Sequence, residues 1–188
     1  MGRFGKAAAA AGLAIALVLG GSVAANANDT STVDYGEFDA ARLGHSLAQV
    51  QSNFDSSGAV VTHTSTYLAK KYRSAEGSAG VDVFIDYGRS NGVWTLAQKT
   101  AFWGWTPNPA HNPSTKSEYL AIKAGMTVPQ VRSIIGSYGT RAFDNVSKYG
   151  SVREYVWPTS TSAYGVAVVR FKVKNGTFVV TGKTAIWD

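Results

Sequence analysis

Apolar side chains recur along this chain with two different periods, and the switch between them marks out the elements. Near the start the spacing is helical. Phe38 and Ala41 share one face, Leu43-Gly44-His45 makes a turn, and Leu47, Val50 and Phe54 line the buried side of a second helix. Ser46 followed three residues on by Gln49 is a capping box, in which each residue satisfies the other's orphan amide. The same grammar returns later. Thr127 and Gln130 form the box, Pro129 sits in a first turn that needs no N–H from it, and Val131, Ile134 and Ile135 face inward before Gly136 ends the helix.

Elsewhere the period is two, which predicts antiparallel strands. Val83, Ile85 and Tyr87 point one way and Asp82, Phe84 and Asp86 the other; Ala167, Val169 and Phe171 alternate in the same manner with Arg170 and Lys172. Asn91-Gly92 and Asn175-Gly176 are tight-turn signals, because both residue types accept positive φ. A further hairpin joins the stretch Thr66–Arg73 to Gly80–Tyr87, and Thr159–Tyr164 stands at its counterpart.

Two blocks of sequence recur in the same order. Phe38-Asp-Ala-Ala-Arg-Leu-Gly44 through Gln49-Val50 aligns with Tyr119-Leu-Ala-Ile-Lys-Ala-Gly125 through Gln130-Val131, at an offset of 81. Asn91-Gly92 through Lys99-Thr-Ala-Phe-Trp103 aligns with Asn175-Gly176 through Lys183-Thr-Ala-Ile-Trp187, at an offset of 84. The pattern therefore predicts an α+β chain: a tandem repeat of a helix-turn-helix plus a four-stranded antiparallel sheet. Repeat 1 spans residues 28–103 and repeat 2 spans 117–188. Between them 104–116 is a linker stiffened by Pro107, Pro109 and Pro113.

Composition narrows the function classes. With 45% hydrophobic residues in 188, the chain can bury a core and intrinsic disorder is disfavoured. It has no cysteine, which excludes disulfides, thiolate metal sites and a cysteine nucleophile. Arg3 and Lys6 precede an uncharged apolar stretch, Ala7–Gly20, and then Ala25-Asn26-Ala27, so residues 1–27 read as a signal peptide cleaved near Ala27 and the protein as secreted. The apolar run is too short to span a bilayer. The formal charge of +6 falls when the leader is removed, and the basic residues do not cluster beyond Lys70-Lys71 and Arg73. A nucleic-acid footprint is not supported.

Catalytic patterns are absent as well. His45, His63 and His111 show no metal-binding spacing, and Met126 stands where the second copy would repeat His45. There is no nucleophile elbow or P-loop, and Glu37 and Glu118 sit where acids favour a helix start. The expectation is no catalytic residue, no metal and no cofactor. Aromatics offer more. Tyr72, Phe143, Trp157 and Tyr164 fall in strands, at strand ends or in turns, where Tyr and Trp are apt to anchor an interface. The alternative is that such rings pack the sheet against the helices.

The stretch Ala124-Gly125-Met126-Thr127-Val128-Pro129-Gln130-Val131, the turn Lys174-Asn175-Gly176 and the terminal Trp187-Asp188 resemble the β-lactamase inhibitory protein family of secreted actinobacterial proteins. The resemblance implies that the two sheets form a concave surface that clamps a loop of a secreted protein partner, a β-lactamase or related penicillin-binding enzyme. It also implies that hairpins of both repeats enter the partner. Tyr164 matches the aromatic of the second hairpin; the first offers Glu76 without an adjacent Tyr. Phe143 and Trp187 match aromatic positions of the family's binding face, and the cysteines usual in each repeat are missing. Two other readings of the same aromatics are a carbohydrate or cell-wall binding module and an envelope scaffold.

Overall fold

Among the described residues, four short helices form where the sequence supplies caps. In this computed structural model, which describes residues 32–76, 81–105, 112–159 and 165–187, they are α1 (Tyr35–Ala40), α2 (Leu47–Asn53), α3 (Lys116–Ala121) and α4 (Val128–Ile135). Asp34 and Glu37, Ser46 and Gln49, and Thr115 and Glu118 exchange capping-box bonds, and the Thr127 N–H donates to Gln130 Oε1 at 2.8 Å. Helices this short are marginal alone and need the packing of their apolar faces.

The strands are β1 (Thr32–Val33), β2 (Ala59–His63), β3 (Tyr67–Ser74), β4 (Asp82–Ser90), β5 (Val93–Phe102), β6 (Thr140–Ser147), β7 (Gly150–Pro158), β8 (Val166–Lys174) and β9 (Thr177–Ile186). They overturn the expected fold class. The chain is mostly β, and instead of two four-stranded sheets it forms one nine-stranded mixed sheet in the order β1-β3-β4-β5-β6-β7-β8-β9, with β2 also on β3. The deciding contact is the antiparallel pairing of β5 with β6, from Gln98 opposite Ser147 to Phe102 opposite Phe143. The sheet is mixed because β1 runs parallel to β3. Periodicity locates strands but carries no information on which distant strand each will join, and this pairing crosses the whole Pro-rich segment. The signal peptide and residues 106–111 of the linker lie outside the described residues; beyond them, Ser114 is buried and its N–H donates to Pro158 O at 2.7 Å.

Within the one sheet, several local contacts occur twice. Gly44 N–H donates to Leu96 O and Leu96 N–H to His45 O; Gly125 N–H donates to Val180 O and Val180 N–H to Met126 O. The hairpins at Asn91-Gly92 and Asn175-Gly176 both have φ of 51° at the Asn, and bulges fall at Asp86/Tyr87 and at Arg170/Phe171. Arg42 N–H donates to His45 Nδ1 and Lys123 N–H to Met126 Sδ, each at 3.3 Å. A histidine nitrogen and a thioether sulfur thus serve the same backbone amide.

All the described helices pack on one face of the sheet. The register places Tyr72, Val83 and Ala101 on that face, then Asp144, Arg153, Phe171 and Val180 across the later strands. One apolar cluster gathers Phe38, Val50 and Phe54 of the helical segments over β3–β5, and another gathers Ile122, Val131 and Ile135 over β7–β9. Lys99 and Lys183 stand between sheet and helices. Lys99 Nζ donates to Phe38 O and lies 4.2 Å from the Phe38 ring centre; Lys183 Nζ donates to Tyr119 O and Ile122 O and lies 4.3 Å from the Tyr119 ring. Each lysine caps the carbonyl end of a short helix.

At the β5–β6 seam a ring of charge closes around one buried carboxylate. Asp144 is fully enclosed and accepts bonds from Trp103 Nε1 at 2.7 Å, from Arg153 Nε at 2.7 Å and from Arg141 Nε. Arg141 also grips Asp39 of α1 through both terminal nitrogens, at 2.9 and 2.7 Å, and Arg153 Nη2 reaches Asp39 at 3.1 Å. Burial pushes the Asp39 carboxyl up, but the hydrogen bond and charge of Arg141, with Arg153 and Lys99, outweigh it and hold the group below its ordinary value. Two guanidinium groups meet the Asp144 carboxylate and the half-exposed Asp39 balances their second charge, which is what permits the burial of Asp144 and Arg141.

Two outcomes follow for stability. Asp144→Ala strands two guanidinium groups and an indole N–H, and should lower the unfolding free energy in urea by about 3–5 kcal/mol. Asp39→Asn, at a half-exposed position, should cost about 1 kcal/mol; the reverse ranking would contradict the enclosed role of Asp144. Burial also pushes the Lys99 ammonium down from 10.5 to about 8, against partial support from Asp39. Between those values the unfolded chain holds more protons than the folded one, so this residue's contribution rises with pH. Compared with Lys99→Met, the wild type should gain about 2 kcal/mol between pH 8 and pH 10 in matched urea titrations.

Candidate functional site

The face opposite the helices is where the sheet presents side chains outward. Its rows follow from the register: Lys71 opposite Phe84, Phe84 opposite Thr100, Thr100 opposite Asn145, and one step along, Phe102 opposite Phe143 and Phe143 opposite Glu154. No described helix packs on these rows. Three phenylalanine rings therefore meet on β4, β5 and β6, with centres 6.4 Å apart for Phe84–Phe102 and 5.3 Å for Phe102–Phe143. Phe102 at the centre is 49% exposed, and its neighbours are half-buried. Partly exposed rings in contact across three strands make a patch outside both apolar clusters.

Charges flank the patch on both sides. Lys71 and Asp82 form an ion pair at 3.5 Å, and Tyr67 donates to Asp86 at 2.8 Å. Burial, followed by that bond to Asp86, raises the Tyr67 pKa. On the far side Arg170 Nε donates to Glu154 at 2.6 Å, beside a shallow hollow of about 190 Å³ lined by Glu154, Val168, Arg170, Gly182, Lys183 and Thr184. An apolar centre within a polar rim is the usual anatomy of a protein interface. Among the described residues no three His, Asp or Glu side chains gather to hold a metal, and no helix is long and apolar enough to cross a membrane.

The structure gathers few of the candidate site residues. Phe143 lies in the aromatic patch. Tyr72 and Trp157 do not reach a surface: Tyr72 is 3% exposed and packs edge-on against Phe54 at 4.9 Å, and Trp157 is fully enclosed with its indole N–H on Ser137 O at 3.2 Å. They are counterparts of one another. Gly58 and Gly139, both at positive φ, lie against them so closely that an added Cβ would stand 2.5 Å from the Tyr72 ring and 2.4 Å from that of Trp157. Both rings are core, which removes Trp157 as a sugar-stacking platform. Burial raises the Tyr72 and Tyr87 hydroxyl pKa values, and neither hydroxyl makes a well-formed hydrogen bond.

Glu76 is half-buried in the turn after β3, where its N–H donates to Ser74 Oγ at 3.0 Å. Its charge is felt by the Tyr35 hydroxyl, whose pKa is raised by burial first and by Glu76 second. Trp187 packs edge-on against Tyr119 at 5.6 Å, as Trp103 packs against Phe38 at 5.2 Å. Tyr164 and His111 lie outside the described residues. Sequence reasoning passed over Phe84 and Phe102. The signal for Phe84 was present: it shares the outward phase with Asp82 and Asp86, where an apolar ring has no core to join.

No protein-family model matches the chain, and no curated protein matches it. The geometry itself separates patch from core in a measurable way. Phe102→Ser should change the unfolding free energy by less than about 1 kcal/mol, while Trp157→Ala should lower it by about 3–5 kcal/mol. Equal costs in urea would mean that the phenylalanine patch belongs to the core.

Proposed function

We propose that the chain is an exported, non-catalytic protein-binding module that holds a loop of a secreted enzyme, such as a class A β-lactamase, on the open face of its sheet. The observation that carries this reading is the contact of Phe84, Phe102 and Phe143 across three strands on the face without helices. Rings held by a rigid sheet lose little freedom on binding, so their burial goes largely into affinity. The mixed charges around them, Lys71, Asp82, Glu154 and Arg170, suit a partner with polar groups of both signs. Export rests on the leader pattern from Arg3 to Ala27, and the enzyme target on the Gly125-Met126-Thr127 and Asn175-Gly176 motifs.

The surroundings of two histidines fit a binding role. His45 accepts a backbone bond in a helix turn, and His63 stands edge-on to Trp94 at 5.6 Å on an exposed strand.

The test is inhibition of a panel of class A β-lactamases by the purified chain, in parallel with capture of proteins secreted by the native host. The wild type should slow or retain a partner. The Phe102→Ser, Phe143→Ser double variant should weaken that by about tenfold or more, equivalent to about 1.4 kcal/mol. Flat titrations across the panel would remove β-lactamases as targets. Equal capture by the wild type and the double variant would remove the open face as the binding surface.

A further inference from the structure

A second surface feature, on the helical side of the sheet, is set apart by comparing two loops that the fold builds alike. Gln51 Nε2 donates to Ser57 O at 3.4 Å and straps the chain leaving α2; Arg132 Nε donates to Tyr138 O at 3.0 Å and straps the chain leaving α4. Residues 51 and 57 precede 132 and 138 by the same offset of 81. A neutral amide and a serine are therefore enough for the strap. The second loop adds a cation and a phenol ring that the fold does not require.

Both additions face a hollow. Arg132 and Tyr138, with Pro129, Ser133, Gly136 and Ser137, line a surface cavity of about 420 Å³, within the size range of small-molecule sites. The guanidinium carbon lies 5.2 Å from the Tyr138 ring centre and 4.9 Å from that of Tyr155, so the cation is held by two rings as well as by its strap. Only Nε is used in that strap, and Arg132 makes no ion pair among the described residues. Tyr138 is 73% exposed and has no part in either apolar cluster. The Ser137 hydroxyl is enclosed and has no hydrogen-bond partner.

From this we propose that the hollow beside α4 is a binding site for a carboxylate carried on an aromatic body. The terminal nitrogens of a pre-positioned guanidinium match a carboxylate in the two-pronged geometry that lysine cannot offer. Tyr138 and Pro129 supply flat apolar walls for the ring of the ligand. The same chemistry is presented by a small aromatic acid and by the C-terminal aromatic residue of a peptide.

The experiment titrates benzoate, benzamide, N-acetylphenylalanine and its C-terminal amide into the ¹⁵N-labelled chain, followed by amide NMR shifts. The acids should give saturable shifts at residues 132–139, and the neutral amides should bind about tenfold more weakly or worse. Tighter binding of N-acetylphenylalanine than of benzoate assigns the site to peptide termini; the opposite order assigns it to small acids. Arg132→Gln restores the side chain that makes the strap in the other loop, and should weaken the acids about tenfold with an unchanged melting temperature. Tyr138→Ser should weaken them as well. Equal binding of acids and amides, affinity unaltered by Arg132→Gln and Tyr138→Ser, or shifts spread over unrelated lysines and arginines would each overturn the proposal.

Discussion

Asp144 cannot be solvated, and most of the architecture follows from how its charge is met. A lone carboxylate at that depth would cost several kcal/mol; here Arg141, Arg153 and the Trp103 indole surround it, and Asp39 of α1 closes the ring. These groups come from β6, β7, the end of β5 and the first helix, so the network can be satisfied in only one alignment of those elements. A one-residue slip of β6 against β5 would turn Asp144 and Arg141 outward together, away from Trp103 and Asp39. The register that places Asp144 opposite Ala101 also places Phe143 opposite Phe102. A buried electrostatic constraint on one side of the sheet thereby assembles the aromatic patch on the other.

Much of the local structure was legible because it is written in short-range chemistry. Ser46 with Gln49 and Thr127 with Gln130 announced two helices, the Asn-Gly pairs announced two hairpins, and the alternation of Val83, Ile85 and Tyr87 named the buried face. What could not be read was anything set by partners far along the chain. The merger of the strands into one sheet depends on β5 meeting β6, and neither strand's pattern says so. Tyr72 and Trp157 looked like interface residues because they fall near strand ends and turns; they are core counterparts of one another, differing in type and separated by 85 positions instead of 81 or 84. Lys99 lay within the recurring Lys-Thr-Ala, yet only the packed helix explains why a charged residue holds a core position.

The pairs of equivalent contacts also separate what the backbone needs from what a particular site has added. His45 and Met126 show that the turn asks only for an acceptor, and Gln51 and Arg132 show that the strap asks only for a donor. Where two positions share a structural task, the chemistry in excess of it is where selection for something else has left its mark. By that criterion the surplus lies in the phenylalanine patch and in the Arg132–Tyr138 hollow, not in the histidines.

The seam between β5 and β6 has a consequence for the ends of the sheet. β9 stands to the second half of the chain as β5 does to the first, and β2, with Val60 and Val61 exposed, corresponds to β6. A second molecule's β2 laid along β9 would imitate the seam and could continue without limit into a fibre. At the positions equivalent to Arg141 and Asp144, however, β2 carries Val60 and His63, and Leu120 stands where α1 has Asp39. The ionic lock that joins the halves has no copy at the outer edges among the described residues, so the pairing that completes the sheet inside one chain is not encoded in the same way between chains.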